Sequence, residues 1–167
     1  QELPHPAGDP QLRDAILDNL RIRPARKVED VLISPGSRAA LSSVLAVTLK
    51  PGKPVLLDAA VWPIFQQNIR NLGGIPLPLQ SRLQYGRLDP LSLARSLDQQ
   101  PDIRVFLMAS PVPTTAQAHS AAELHGLLEV CAEREVLCIL DRIYSRILFD
   151  GRSFPSILPG PCLDWCV

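Results

Sequence analysis

Residues able to bind a ligand follow four apolar stretches of this sequence. The first group is Ser34-Pro35-Gly36-Ser37-Arg38, which precedes a helical pattern. The N-terminus of a helix has free backbone N–H groups and the positive end of the helix dipole. The group therefore predicts an anion site at Gly36, Ser37 and Arg38, suited to a phosphate. The alternative is an ordinary helix cap.

An aromatic residue and a carboxylate follow two other apolar runs. Trp62 comes shortly after residues 54–58 and could stack on a flat ring, with core packing as the alternative. Asp141 ends an apolar run, where a carboxylate needs a partner such as a protonated ring nitrogen. Tyr144 could direct its hydroxyl to the same ring. The alternative is an ion pair of Asp141 with Arg142 and a half-buried tyrosine.

The remaining group, residues 110–116, reads Ser-Pro-Val-Pro-Thr-Thr-Ala. Its closely spaced prolines fix the backbone and predict a rigid loop, which has either a binding role or a purely structural one.

Alternating helices and strands are predicted to place these groups together. Apolar runs predict strands at residues 30–34, 54–58, 75–79, 104–109 and 136–140. Helical patterns follow the cap residue Asp9 and recur at residues 37–49, 63–72, 89–97 and 121–134. Continuously apolar strands separated by helices predict an α/β fold, a three-layer α-β-α arrangement with a mainly parallel sheet. Ligands bind beyond the carboxyl ends of such strands, where all four groups lie.

Composition favours an ordinary globular domain. The 167 residues include 17 basic and 17 acidic side chains, so charge gives no reason to expect nucleic acid or a membrane as a partner. No apolar run approaches the roughly 20 residues of a membrane span, and no signal peptide is visible. The four cysteines do not supply a zinc ligand set, which favours reduced thiols and a cytoplasmic location.

Several motifs together resemble one family. They are Gly8-Asp9-Pro10-Gln11-Leu12-Arg13, residues 31–41, Pro51-Gly52-Lys53-Pro54-Val55-Leu56, residues 110–116, and Leu140-Asp141-Arg142-Ile143-Tyr144 followed by Phe149-Asp150-Gly151. In this order they resemble class I/II aminotransferases, which are fold-type-I enzymes dependent on pyridoxal 5'-phosphate (PLP). The resemblance covers about residues 6 to 158. Residues 1–167 are accordingly identified as an incomplete PLP-binding large domain.

The resemblance implies a role for each candidate residue. Gly36, Ser37 and Arg38 would hold the PLP phosphate, and Trp62 would stack on the pyridine ring. Asp141 would keep the ring nitrogen protonated, and Tyr144 would hydrogen-bond the phenolic oxygen. The implied activity is amino transfer between an amino acid and a 2-oxo acid, by a cytoplasmic homodimer.

Three departures from the family pattern stand out. Val112 occupies the position of an asparagine that contacts the phenolic oxygen. Arg142 replaces an acidic residue, and we expect it to face away from the cofactor. The Schiff-base lysine, which follows the Asp-x-x-Tyr motif in the family, has no counterpart among the lysines of this chain, which are Lys27, Lys50 and Lys53. We therefore expect no catalytic residue here, a parent enzyme that is a transaminase, and no transamination by this chain alone.

Other functions remain open at this level. The same scaffold serves other fold-type-I PLP enzymes, such as carbon–sulfur lyases. A non-catalytic PLP-fold binding or regulatory protein would also have these motifs, and Val112 favours that reading slightly. A generic phosphate-binding α/β domain would need no special role for Asp141. In every case we expect the sheet to lack its last strands, which would leave an unpaired edge.

Overall fold

Helices and strands alternate along the chain in this computed structural model, which describes residues 5–61, 63–79, 88–149, 151, 153–155 and 161–167. The helices are α1 (Pro10–Leu20), α2 (Ser37–Thr48), α3 (Pro63–Asn71), α4 (Pro90–Gln99) and α5 (Ala121–Glu133). The strands are β1 (Pro54–Asp58), β2 (Ile75–Leu79), β3 (Val105–Ala109) and β4 (Leu137–Asp141). Short 3-10 helices lie at Val28–Asp30 and Pro161–Trp165.

The strands form one parallel sheet in the order β2-β1-β3-β4. Strand β2 lies at an edge, as Pro76 and Pro78 predict, since a proline cannot donate a ladder hydrogen bond. All five residues of the central strand β3 are buried. The carboxyl ends of the four strands therefore meet at one edge of the sheet.

Helices cover both faces of this sheet. On one face, Leu57, Leu107 and Ile139 pack with residues of α2 and α3, including Leu41 and Phe65. On the other face, strand residues pack with α4 and α5: the shared core contains Leu56, Phe106, Cys138, Leu93, Leu97, Leu127 and Leu128. The predicted three-layer α-β-α arrangement is confirmed, because strands that are apolar on both sides must be covered on both sides.

The predicted helix starts are confirmed by their side-chain caps. Asp9 Oδ1 accepts hydrogen bonds from the Gln11 and Leu12 N–H groups at 2.8 and 3.0 Å. Ser120 and Glu123 form a reciprocal capping box at the start of α5. These caps fix where α1 and α5 begin.

The strand predicted at residues 30–34 is wrong. Residues 28–30 form a 3-10 turn, and the extended residues after it do not join the sheet. Their Leu32 side chain is 64% exposed, and Ile33 N–H donates to the Ala7 carbonyl at 2.9 Å. Extended backbone becomes a strand only where a neighbour supplies ladder hydrogen bonds, and the sheet order places no strand beside this segment.

The outer edge of β4 is less open than we expected. Val167 N–H donates to the Cys138 carbonyl, and Leu140 N–H donates to the Val167 carbonyl, both at 2.9 Å. Cys138 and Cys166 form a parallel bridge there. Cys166 and Val167 thus pair with residues 138–140 of β4 and cover that part of the sheet edge.

Candidate functional site

We predict an anion site at the start of α2, which follows Gly36. The φ of 96° and ψ of 161° of Gly36 lie in a region that essentially only glycine adopts. A Cβ at this position would meet no atom within 4 Å, so the backbone conformation, rather than space, requires glycine. Ser37 and Arg38 are exposed, and the first helical bond runs from Ala40 N–H to the Gly36 carbonyl. The N–H groups before Ala40 lack helical acceptors and suit an anion.

Asp141 lies at the end of β4 with its carboxylate held in place. Asp141 Oδ1 accepts a hydrogen bond from the Ile143 N–H at 2.9 Å, and the residue is half-buried. Asp141 and Ser37 line one cavity of about 210 Å³. The apolar side chains of Leu41, Phe65, Leu107 and Ile139 also line it. The structure therefore places Ser37 of the predicted phosphate site and Asp141 on one cavity, whereas Gly36 and Arg38 do not line it.

Arg142 lines this cavity and also a second cavity that Phe154 lines, so our expectation that it faces away from the cofactor stays a prediction. Its guanidinium lies 4.5 Å from the centre of the Phe154 ring, and burial lowers the pKa of Arg142. Arg142 Nε is buried without a hydrogen-bond partner in the described part of the chain, and no ion pair with Asp141 forms. A residue directly after a strand end lies across that end, so this cation borders the cavity.

Tyr144 does not line this cavity. Tyr144 lines a neighbouring cavity of about 410 Å³, together with Val112, Pro113 and Phe149. Trp62 lies outside the described residues. Val112, at the family's asparagine position, is fully buried.

The loop at residues 110–119 follows β3 and is hydrogen-bonded to the ends of β4 and β1. Ser110 N–H donates to the Asp141 carbonyl at 2.9 Å, and Ser110 Oγ lies 3.1 Å from His119 Nδ1. Thr114 Oγ1 donates to the Ala60 carbonyl, just after β1, at 2.9 Å. The prolines predicted a rigid loop, but these polar anchors were missed. They hold the loop that lines the Tyr144 cavity.

Asp58, at the end of β1, is a buried carboxyl that we did not single out. It is 1% exposed, and Oδ1 accepts the Ala60 N–H at 3.0 Å. Oδ2 is buried with no hydrogen-bond partner in the described residues. Burial raises the pKa of Asp58, and the Ala60 N–H opposes this only in part. The same signal that drew attention to Asp141, an acid ending an apolar strand, would have found it.

None of the lysines lines the Asp141 cavity. Lys50 and Lys53 line a cavity with Pro54 and Val105, at the amino ends of the strands. Lys53 Nζ pairs there with Asp102 at 3.1 Å. Lys27 is exposed before the first 3-10 turn. These amines lie away from the predicted cofactor site.

The described residues contain neither a candidate metal site nor a candidate membrane span. No group of three or more His, Cys, Asp or Glu side chains there is arranged to hold a metal ion. Within the same residues, no helix has both the length and the apolar character needed to cross a membrane.

Solved aminotransferases share this fold. The aspartate aminotransferase of Thermus thermophilus with maleate superposes with a TM-score of 0.82 at 23% identity, covering 93% of this chain and 41% of that one. YbdL of Escherichia coli, described as having a methionine aminotransferase function, gives 0.84 at 21% identity, covering 99% and 44%. The sheet and its helices are therefore those of the PLP-dependent aminotransferase fold.

Sequence comparison defines the family. The aminotransferase class I and II profile matches residues 1–163, so the chain belongs to this family. A probable aspartate/prephenate aminotransferase of Thermus aquaticus is 26% identical over 152 residues, covering 89% of this chain and 39% of that protein. The aspartate/prephenate aminotransferase of Cereibacter sphaeroides is 29% identical over 164 residues, covering 92% and 40%. The chain spans about two fifths of the length of these relatives.

Proposed function

We propose that residues 1–167 are the cofactor-holding part of the large domain of a PLP-dependent aminotransferase, which transfers an amino group between an amino acid and a 2-oxo acid. One observation carries the proposal: Ser37 at the start of α2 and Asp141 at the end of β4 line the same cavity. Membership of the family supports the activity of the whole protein.

The chemistry of the residues around this cavity suits PLP. A phosphate dianion needs several N–H donors, and the Gly36 turn leaves the first N–H groups of α2 free. A protonated ring nitrogen needs a fixed anion, and Asp141 is held by the Ile143 N–H. An apolar wall suits the face of a ring, and Leu41, Phe65 and Ile139 supply one. When bound, PLP supplies a ring that accepts the electron pair released as the substrate's Cα loses its proton.

Each candidate residue then has a distinct task. Gly36, Ser37 and Arg38 bind the phosphate. Asp141 holds a proton on the ring nitrogen, because the ion pair favours the charged form of that nitrogen. The resemblance to the family also gives Trp62 a stacking role and Tyr144 a hydrogen bond to the phenolic oxygen, although Tyr144 lines the neighbouring cavity. None of these groups forms a covalent bond with substrate.

The Schiff-base lysine is proposed to lie outside these residues. The positions of Lys50 and Lys53 at the amino ends of the strands support this, since cofactors bind at the carboxyl ends. This chain by itself would bind PLP without a covalent link and would not transaminate.

Location and assembly are part of the proposal. The four cysteines are free thiols, which supports a reducing compartment such as the cytoplasm. A homodimer is supported by exposed apolar side chains, including Leu32 at 64%, Val47 at 83% and Phe149 at 96%. Light scattering at two protein concentrations tests the dimer.

One observation favours a second candidate, a non-catalytic protein of the same fold. Val112 is fully buried and cannot donate the hydrogen bond that the family's asparagine gives to the phenolic oxygen. A site without that bond would tune the ring less well for proton removal from a substrate.

PLP titration followed by borohydride reduction separates these readings. The purified chain is titrated with PLP, reduced with borohydride, digested and mapped by mass spectrometry. Saturable binding without a reduced adduct on Lys27, Lys50 or Lys53 is expected. A stoichiometric adduct on one of them would show that the map of the site is wrong. No binding at all would favour the non-catalytic candidate.

A further inference from the structure

Three thiols meet at the outer edge of the sheet and have no part in the proposed function. Cys138 lies in β4, and Cys166 is its partner across the parallel bridge. Cys131, on α5, and Cys138 belong to one core cluster, and Cys166 packs against it. Cys138 and Cys131 are fully buried, whereas Cys166 is partly exposed. Cys166 is therefore the most exposed of these three cysteines.

The bridge gives Cys138 and Cys166 the separation that a disulfide needs. Paired residues of neighbouring strands lie about 4.8 Å apart, and disulfides join Cα atoms that are about 4.4–6.8 Å apart. Paired residues also point to the same side of a sheet, and the contact between the two thiols agrees with this. The backbone bonds of Val167 with Cys138 and Leu140 hold this register.

The surroundings distinguish the reactivity of the two thiols. The pKa of Cys166 is lowered, first by a hydrogen bond from Cys138 and then by the positive charges of Arg142 and Arg26. Burial opposes this shift. Contacts with Cys131 and Cys166, together with burial, raise the pKa of Cys138 well above its usual value. The thiolate is the nucleophile of cysteine chemistry. Cys166 is thus suited to react first, and Cys138 is the slower nucleophile that the bridge places beside the product.

We propose that Cys166 and Cys138 are a reversible, peroxide-sensitive dithiol pair. The Cys166 thiolate attacks one oxygen of hydrogen peroxide and breaks the O–O bond, which leaves a sulfenic acid on Cys166 and releases hydroxide. Cys138 Sγ then attacks Cys166 Sγ. The S–S bond forms, the S–O bond breaks, and the oxygen leaves as water with the thiol proton of Cys138. The peroxide gains two electrons and the two sulfur atoms lose them.

The cross-link would act on the candidate site through Val167. This residue follows Cys166 and lines the same cavity as Ser37 and Asp141. A disulfide would fix this wall against β4, whereas the reduced pair is held by hydrogen bonds alone. Reduction by a small dithiol would release it.

Peptide mapping of the oxidised full chain tests the pair directly. The reduced protein is treated with hydrogen peroxide, remaining thiols are alkylated, and non-reducing digests are analysed by mass spectrometry. A Cys138–Cys166 linked peptide is expected as the main product, with Cys162 still alkylated. A main product linking Cys131 to Cys138, or Cys162 to Cys166, would overturn the proposal, as would four thiols left unlinked.

Variants test the order of the two steps. In Cys138→Ser, a sulfenic acid should accumulate on Cys166 and be trapped by dimedone. Cys162→Ser is the matched control and should form the wild-type disulfide at the wild-type rate. Dimedone labelling of Cys162 ahead of Cys166, in wild type or in Cys138→Ser, would contradict the assigned order. The wild-type map decides on the pair even if Cys138→Ser does not fold.

Discussion

Replacing Asp58 by asparagine should stabilise the protein at neutral and alkaline pH. The Asp58 carboxyl is 1% exposed, and Oδ2 has no partner among the described residues. Asparagine keeps an oxygen to accept the Ala60 N–H, which Oδ1 accepts at 3.0 Å, and removes the charge. A charged group left unsatisfied in the interior costs at least about 1–3 kcal/mol. The new amide buries an N–H group of its own at a similar cost, so the expected net gain is at most about 1 kcal/mol.

The pH dependence of this gain follows from the direction of the shift. Burial raises the pKa of Asp58 in the folded state. Below the pKa of the unfolded chain both states are protonated, and the carboxyl does not make stability depend on pH. As pH rises through the raised pKa, folding requires burial of a carboxylate, and the wild type loses stability that Asp58→Asn retains. The difference between the two proteins should therefore be smallest at acid pH and largest at alkaline pH.

Urea unfolding at a series of pH values measures this difference. Asp102→Asn is the matched control, because Asp102 is an exposed carboxylate in a surface pair with Lys53. Such a pair contributes about 0–1 kcal/mol, so the control should fall slightly in stability at neutral pH. If the difference in stability between Asp58→Asn and wild type did not grow from acid to alkaline pH, or if Asp58→Asn were less stable than wild type throughout, the account of a costly buried charge would be refuted.

Three further substitutions and one control test the frame of the site. Gly36→Ala should cost about 1–3 kcal/mol in urea unfolding, because alanine does not tolerate this backbone conformation; a cost below that of an exposed helix substitution would argue against it. Thr114→Val should cost about 1 kcal/mol through loss of the bond to Ala60. Thr115→Val is the control and should cost nothing, because the Thr115 hydroxyl is buried without a hydrogen-bond partner in the described part of the chain. Equal losses of stability in Thr114→Val and Thr115→Val would contradict the role of the Thr114 bond. Ser120→Ala should lower thermal stability by about 1 kcal/mol through loss of the α5 cap, and an unchanged melting temperature would count against that cap.

The sheet was readable from the sequence because its strands are apolar without interruption. Runs such as Val105–Ala109 fit only an element covered on both faces, and the helical patterns between them required parallel crossovers. Residues 30–34 contain three consecutive apolar residues but have no neighbouring strand to pair with. Strand formation depends on a partner elsewhere in the chain, which composition does not reveal.

The candidate site was readable only in part. Gly36 and Asp141 were singled out because an apolar run followed by a glycine, or ending in an acid, often marks a ligand site in an α/β fold. Tyr144 lines a different cavity because its position depends on the path of the irregular segment after β4. The role of Asp58 depends on whether a partner reaches Oδ2, which is a property of the packed structure.

The most direct test of the central claim is the dissociation constant of PLP for wild type, Asp141→Asn and Asp102→Asn. Asparagine preserves the acceptor for Ile143 N–H but removes the charge proposed to face the ring nitrogen. A charge-assisted hydrogen bond contributes about 1.5–3 kcal/mol, so Asp141→Asn should weaken binding roughly tenfold to a hundredfold. Asp102→Asn, at the opposite edge of the sheet, should bind as wild type does. Equal affinity of all three proteins would contradict the assignment of Asp141 to the cofactor.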